Sequence, residues 1–217
     1  MRNTTENQIE LLFIRHGKTR ANQEKRYLGK TEEELSQQGR TELEQRVYPP
    51  VKSLFGSPMQ RCRQTAELLY PNLPYRSIPE WREMDFGRFE GKNYEDLKED
   101  ADYQRWIDSN GTLPFPEGES REAFIRRCSS GLWRFLEIMV CQKVEVNVPV
   151  AAIVHGGTIM ALLSHYGGEK DYFDYQCKNG EGYRCTVKFS TGEDGKMLED
   201  SIRIEKITEL FDRVTAG

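Results

Sequence analysis

Ile9-Glu10-Leu11-Leu12-Phe13-Ile14-Arg15-His16-Gly17 decides how the rest of the chain is read. An apolar run this short, ended abruptly by a cation, an imidazole and a glycine, reads as a buried strand that stops at a loop. A second run, Val148 to Val154, stops in the same way at His155-Gly156-Gly157 and leads into a helix over Thr158 to Leu163.

The text between these runs alternates strand and helix. Leu35-Ser36 opens a helical stretch to about Val47, Ser53 to Gly56 is a short strand, and Met59 to Tyr70 is helical until Pro71 stops it. From Pro71 to Pro116 the text is irregular and aromatic, with short helical pieces near Tyr94 and Tyr103. Ser120 can cap a long helix on which Phe124, Cys128, Leu132, Phe135 and Met139 keep helical spacing. In the tail Tyr183, Cys185, Val187 and Phe189 alternate with polar residues. Gly192-Glu193-Asp194-Gly195 then turns that strand into another through Ile202 and Ile204. The pattern predicts an α/β fold, a three-layer sandwich. Its central sheet is mostly parallel and flanked by helices, with a C-terminal antiparallel hairpin.

Composition narrows the function. At 217 residues the chain fits one domain, residues 1–217, with the irregular insertion at about 71–117 covering the site. A net charge of -4 argues against a nucleic-acid-binding stripe, so affinity for an anion must come from a local basic pocket. No stretch reaches the roughly 18 apolar residues that span a membrane, and residues 1–7 lack a signal core. The five cysteines, Cys62, Cys128, Cys141, Cys177 and Cys185, form no Cys-x-x-Cys pair, which points to reduced thiols in a cytoplasm and to no zinc site.

The two histidine triplets share one geometry. In open α/β sheets ligands bind beyond the carboxyl ends of the strands, so His16 and His155 can meet at one crevice. Their glycines let the backbone approach a ligand, and bared N–H groups favour an anion. Either histidine alone is more often an ordinary polar loop residue; the pair, with Arg15 adjacent, points to a site.

These residues carry a family resemblance. Leu12 to Asn22 (Leu-Phe-Ile-Arg-His-Gly-Lys-Thr-Arg-Ala-Asn) resembles the signature of the histidine phosphatase superfamily, which includes the cofactor-dependent phosphoglycerate mutases. Four further segments follow in family order: Leu35 to Gly39, Ser57 to Ala66, Glu83 to Gly91, and Pro116 to Ser120. Val154-His155-Gly156-Gly157-Thr158 completes the set, and beyond Leu163 the likeness is loose. The resemblance implies a nucleophile at His16, which takes the phosphoryl group, and a donor to that group at His155. Arg15 and Arg61 are implied as guanidinium forks for the phosphate oxygens. Asn22 and the Gly156 backbone are further phosphate donors on the same reading. Glu83 is the implied acid and base, favoured over Asp85 and Glu90 by the family spacing Glu-x-x-Phe/Tyr-Gly.

Several features read as bland. Gly29-Lys30-Thr31 lacks the upstream glycine of a P-loop, since Glu24 stands there. His165 reads as a surface residue at a helix end and Cys62 as a packed one. The cations Lys18, Arg20, Lys25, Arg26 and Lys30 read as a solvated loop, although Arg20 is near enough in sequence to touch a substrate. Tyr103, Trp106 and Phe115 fit a substrate lid and a satellite core equally. The expected activity is hydrolysis of a small phosphate ester, with α-ribazole phosphate and sugar phosphates among the candidates, and with no metal, cofactor or membrane. The oligomeric state is not legible. A mutase is the alternative, disfavoured because mutases of the family carry His-Gly-Asn-Ser where this chain has His155-Gly156-Gly157-Thr158, and carry a longer insertion. A non-catalytic domain of the same fold is a third reading, disfavoured because every expected reactive residue is present.

Overall fold

The protein is described by a computed structural model covering residues 4–141, 149–168 and 170–211. Its strands are β1 (Thr5–Arg15), β2 (Ser53–Gly56), β3 (Tyr75–Ser77), β4 (Val150–Val154), β5 (Gly182–Thr191) and β6 (Arg203–Glu209). They form one sheet in the order β3-β2-β4-β1-β5-β6. β1, β4, β2 and β3 pair in parallel, whereas β5 and β6 run antiparallel to their neighbours. This is the mostly parallel sheet with an antiparallel C-terminal pair that the residue pattern anticipates.

The helices among the described residues are α1 (Arg20–Gln23), α2 (Gln37–Glu44), α3 (Gln60–Leu69), α4 (Tyr94–Leu97), α5 (Ala101–Asp108), α6 (Arg121–Cys141) and α7 (Gly156–Gly167). Side chains of β1 alternate across the sheet. Leu11 and Phe13 face one core with Phe124, Leu132 and Phe135 of α6 and Ile159 and Leu162 of α7. Leu12 and Ile14 face a second core with Cys62 and Ala66 of α3. Hence three layers form, and the apolar stripe expected on α6 is fully inside. Ser120 caps α6 by accepting the Ala123 amide at 3.1 Å, and Ser36 caps α2 by accepting that of Gly39 at 3.0 Å. No helix among the described residues is long and apolar enough to cross a membrane.

Four local expectations change. β1 begins at Thr5, before its apolar run, because β5 pairs with it from Thr5↔Thr191 onward. α7 runs well past Leu163 to Gly167 and ends on Gly168 at φ +66°, a left-handed cap that glycine adopts without strain. β3 lies inside the segment read as irregular; it is a three-residue edge strand along β2. The last strand starts at Arg203, so Ile202 lies outside it. After the 192–195 turn the chain makes a bridge at Thr191↔Met197 and a helical turn at Glu199–Ser201 before pairing resumes. The expected strand start at Val148 falls outside the described residues.

Candidate active site

β1 and β4 are adjacent and parallel, with Arg15 opposite Val154 at their carboxyl ends, so His16 and His155 emerge side by side. Their ring centroids are 5.2 Å apart and the rings meet edge to face. Both imidazoles are buried. His16 Nδ1 lies 2.7 Å from the Gly17 carbonyl oxygen. A carbonyl can only accept, so Nδ1 carries the proton and Nε2 keeps a lone pair. Burial, then the charges of Arg61 and Arg15, hold the His16 pKa well below its ordinary value, and the Gly17 contact offsets this only in part. A neutral imidazole with a bare Nε2 can attack phosphorus.

The loop bearing His16 is held from three sides. The Gly17 amide donates to Thr65 Oγ1 on α3 at 3.0 Å, and that hydroxyl donates to the Arg61 carbonyl at 2.7 Å. The Arg15 amide donates to the Glu181 carbonyl at 2.8 Å, and the Gly180 amide to the Arg15 carbonyl at 2.9 Å. Asn179 Nδ2 donates to the His16 carbonyl at 3.0 Å and to Asn22 Oδ1 at 3.1 Å. Asn22 Oδ1 also accepts the Thr19 amide, so the oxygen of Asn22 braces the loop. Residues 178–181 were not singled out in the sequence, because their contribution here is through backbone groups and the Asn179 amide.

The two arginines differ in their commitments. Arg61 is fully buried on α3, with Nη1 donating to the Thr31 carbonyl and Nη2 to that of Gly29 at 2.8 Å. Arg15 Nη1 donates to the Cys177 carbonyl at 2.7 Å. In both, Nε is buried without a partner among the described residues. Two guanidinium charges close to His16, one of them against the α7 N-terminus at Gly156, suit an anion. An ideal Cβ at Gly156 would stand 3.4 Å from the Arg15 guanidinium carbon, so the two are in contact.

His155 Nε2 is 2.8 Å from Ser57 Oγ, whose oxygen accepts the Met59 amide. Burial and neighbouring cations hold His155 low as well. Cys62 Sγ lies 3.7 Å from His155 Nε2, and burial raises its thiol pKa to about 12, so this cysteine is packed and protonated.

Glu83 faces the α7 N-terminus and takes the Met84 amide on Oε1 at 2.9 Å. Burial pushes its carboxyl above the usual range, opposed by the Met84 amide, Arg61, Arg15 and the Gly157 amide. The rival carboxylates are engaged elsewhere: Asp85 pairs with Lys30, and Glu90 accepts the amides of Gly29 and Thr31. Arg127 of α6 holds the segment bearing Glu83. Nη1 donates to the carbonyls of Glu80 and Arg82, and Nη2 to that of Glu83 and to Glu119, whose other oxygen takes Nε. All five of its N–H groups are thereby engaged. Arg127 was missed in the sequence because it looks like any surface cation on a helix.

Arg20 is exposed and paired with Glu24. Trp106 and Phe115 line a cavity of about 400 Å³ that also reaches Arg15, Glu83, Gly156 and Gly157, whereas Tyr103 packs beneath it against Phe89. Among the described residues no three His, Cys, Asp or Glu side chains converge to hold a metal ion.

Residues 11–197 match the model of the histidine phosphatase superfamily, branch 1. The adenosylcobalamin/alpha-ribazole phosphatase of Escherichia coli K12 is 30% identical over 74% of this chain and 80% of its own. A solved structure of a phosphoglycerate mutase from Thermus thermophilus is 30% identical with a TM-score of 0.59, covering 88% of this chain and 96% of that one. The alpha-ribazole phosphatase of Shigella flexneri superposes with a TM-score of 0.66 over 90% of this chain and 95% of its own; at 24% identity it shows the shared fold.

Proposed function

The chain belongs to the histidine phosphatase superfamily, and from that premise we propose that it is a phosphomonoesterase whose nucleophile is His16 Nε2. The observation that carries this reading is the His16 Nδ1 contact to the Gly17 carbonyl, which aims a lone pair out of a buried, cation-flanked imidazole.

In the first step Nε2 forms a P–N bond as the P–O bond to the alcohol breaks, and the departing oxygen takes its electron pair and a proton from Glu83. Water then attacks phosphorus and gives a proton to Glu83, and the P–N electron pair returns to His16. Arg15 and Arg61 offer Nε–H groups to the equatorial oxygens, with His155, Asn22 and the Gly156 amide as further donors. These cations supply the charge neutralisation that a metal provides in other phosphatases, so activity should survive excess EDTA. The substrate is a small phosphate ester, with α-ribazole phosphate and sugar phosphates as candidates, acted on in the cytoplasm. Against mutase activity stand Gly157 and Thr158, where the family's mutases carry asparagine and serine, and the lack of their longer insertion.

His16→Ala should abolish phosphate release while the protein stays folded, and acid-free denaturation during turnover should trap acid-labile phosphate on His16. Full activity of the variant, or label on a serine, contradicts the mechanism.

A further inference from the structure

We propose that Ser57 is the positioning residue of the second histidine. Its hydroxyl donates to His155 Nε2, holds that imidazole as the Nδ1–H tautomer, and so commits the Nδ1 proton to a phosphoryl oxygen. This rests on the phosphatase reading, in which His155 serves the group that His16 attacks.

Strand pairing brings the two residues together. β2 lies beside β4 with Gly56 opposite Ile153, so Ser57 follows its strand close to where His155 follows the next. The Ser57 amide donates to the Ile153 carbonyl at 2.9 Å, and the Tyr75 hydroxyl donates to the Ser57 carbonyl at 2.6 Å. Both Ser57 and His155 are fully buried. His155 is the N-cap residue of α7, yet its side chain caps no amide there, so other groups set the orientation of the ring.

The protons around Ser57 Oγ fix the direction of its 2.8 Å contact with Nε2. A hydroxyl has one proton to give and two lone pairs to fill. One lone pair takes the Met59 amide at 3.3 Å. Ser57 is also a hydrogen-bond partner of the Cys62 thiol, which burial keeps protonated by raising its pKa to about 12. That S–H suits the second lone pair, whereas its sulfur is a weak acceptor. Burial and the charge of Arg61 hold the His155 pKa well below its ordinary value, so the ring is neutral and one nitrogen bears a lone pair. With that lone pair on Nε2, the Ser57 proton has a good acceptor and every valence of the hydroxyl is filled. With a proton on Nε2 instead, Oγ would meet three donors and its own proton would be left with sulfur, which is costly in a buried site.

The imidazole proton therefore sits on Nδ1. The hydrogen-bond partner of Nδ1 among the described residues is the Cys62 sulfur at 4.0 Å. A buried N–H so weakly engaged, on a ring 5.2 Å from that of His16 and within the field of Arg61 and Arg15, suits an incoming oxyanion.

Nitrogen-15 NMR of histidine-labelled protein reads the tautomer directly. With three histidines in the chain, single substitutions assign each ring. The wild type should show a protonated Nδ1 and a pyridine-like Nε2 on His155, and Ser57→Ala should shift protonated character onto Nε2. On ethyl phosphate and p-nitrophenyl phosphate alike, Ser57→Ala should lose about tenfold in kcat, the worth of one hydrogen bond, with KM little changed. The Met59 amide also loses its partner in this variant, so Tm should fall. A lower Tm with the nitrogen pattern and kcat unchanged would mean a purely structural role and overturns the proposal. A protonated Nε2 in the wild type overturns it too, and that measurement needs no variant to fold. If the wild type hydrolyses neither ester, the phosphatase reading fails, and the nitrogen pattern with its response to Ser57→Ala still decides whether Ser57 sets the tautomer.

Discussion

The carboxylate of Glu83 rests on Gly157 so closely that position 157 has no room for a Cβ beneath Oε1. The obstructing atom is the far end of a flexible side chain, so Gly157→Ala should fold and simply push the carboxylate aside. Phe124 lies 3.2 Å from the same Cβ position, so it too must give slightly. Hydrolysis of an alkyl phosphate should fall by about 10²-fold, toward the range of lost general acid catalysis. Loss for p-nitrophenyl phosphate, which departs without a proton, should be much smaller. Equal losses for both esters would show that the displaced group is not the acid.

Arg127 predicts a related but separable effect. Arg127→Lys keeps the charge yet replaces a five-donor fork by a single ammonium, freeing carbonyls of Glu80, Arg82 and Glu83 and half of the Glu119 contact. We expect a loss of about tenfold or more in kcat on alkyl phosphates, with little change in KM. A purely structural role would lower Tm and slow both ester classes alike. The positioning role requires the alkyl ester to suffer more and the alkaline limb of the pH profile to move.

That profile follows from two opposed shifts. His16 must be neutral to attack, and its pKa is depressed, so it stays reactive well below the usual histidine midpoint of about 6.5. Glu83 must be protonated to deliver its proton, and its pKa is raised, so it remains useful above the usual carboxylate range. Hence kcat/KM should peak on the acid side of neutrality and fall as pH rises through the Glu83 pKa. Glu83→Gln should remove that alkaline limb. A rate that instead climbs through pH 7 would mean His16 is titrating there, against its burial.

Arg61 and Glu83 should leave different traces. Arg61→Ala removes a donor that both ester classes need, so each should lose about 10²–10³-fold, or about 2.7–4 kcal/mol of transition-state stabilisation. It also releases the carbonyls of Gly29 and Thr31, so Tm should fall. Glu83→Gln should slow the alkyl ester by 10²–10⁴-fold and give a burst of nitrophenol from the aryl ester, because the phosphoenzyme then waits for an activated water. No burst and equal slowing would redirect attention to Asp85 and Glu90.

The two strand ends and the α6 stripe were legible because their signals are local: an apolar run broken at Arg15-His16 or at His155, and Phe124 to Met139 at helical spacing. The length of α7 was not, since Gly156-Gly157 and Gly167-Gly168 mimic loop text although buried Ile159, Leu162 and Leu163 hold the helix in place. β3 escaped because a mostly exposed three-residue edge strand has no alternation to detect. Asn179 and Arg127 act through carbonyls and amides distant in sequence, and backbone partners leave no mark on residue type.

β1 lies between β4 and β5, and both of those strands come from the final third of the chain. During synthesis its apolar segment Leu11-Leu12-Phe13-Ile14 must therefore wait, unpaired on either edge, until residues 150–191 have left the ribosome. Contacts this remote slow folding and leave a strand exposed to other chains meanwhile. A nascent chain halted after α6 would carry His16, Arg61 and Glu83 and still lack the β4 and β5 flanks that close around β1. Such a fragment is a natural client for chaperones, and the reactive crevice is among the last parts of the molecule to assemble.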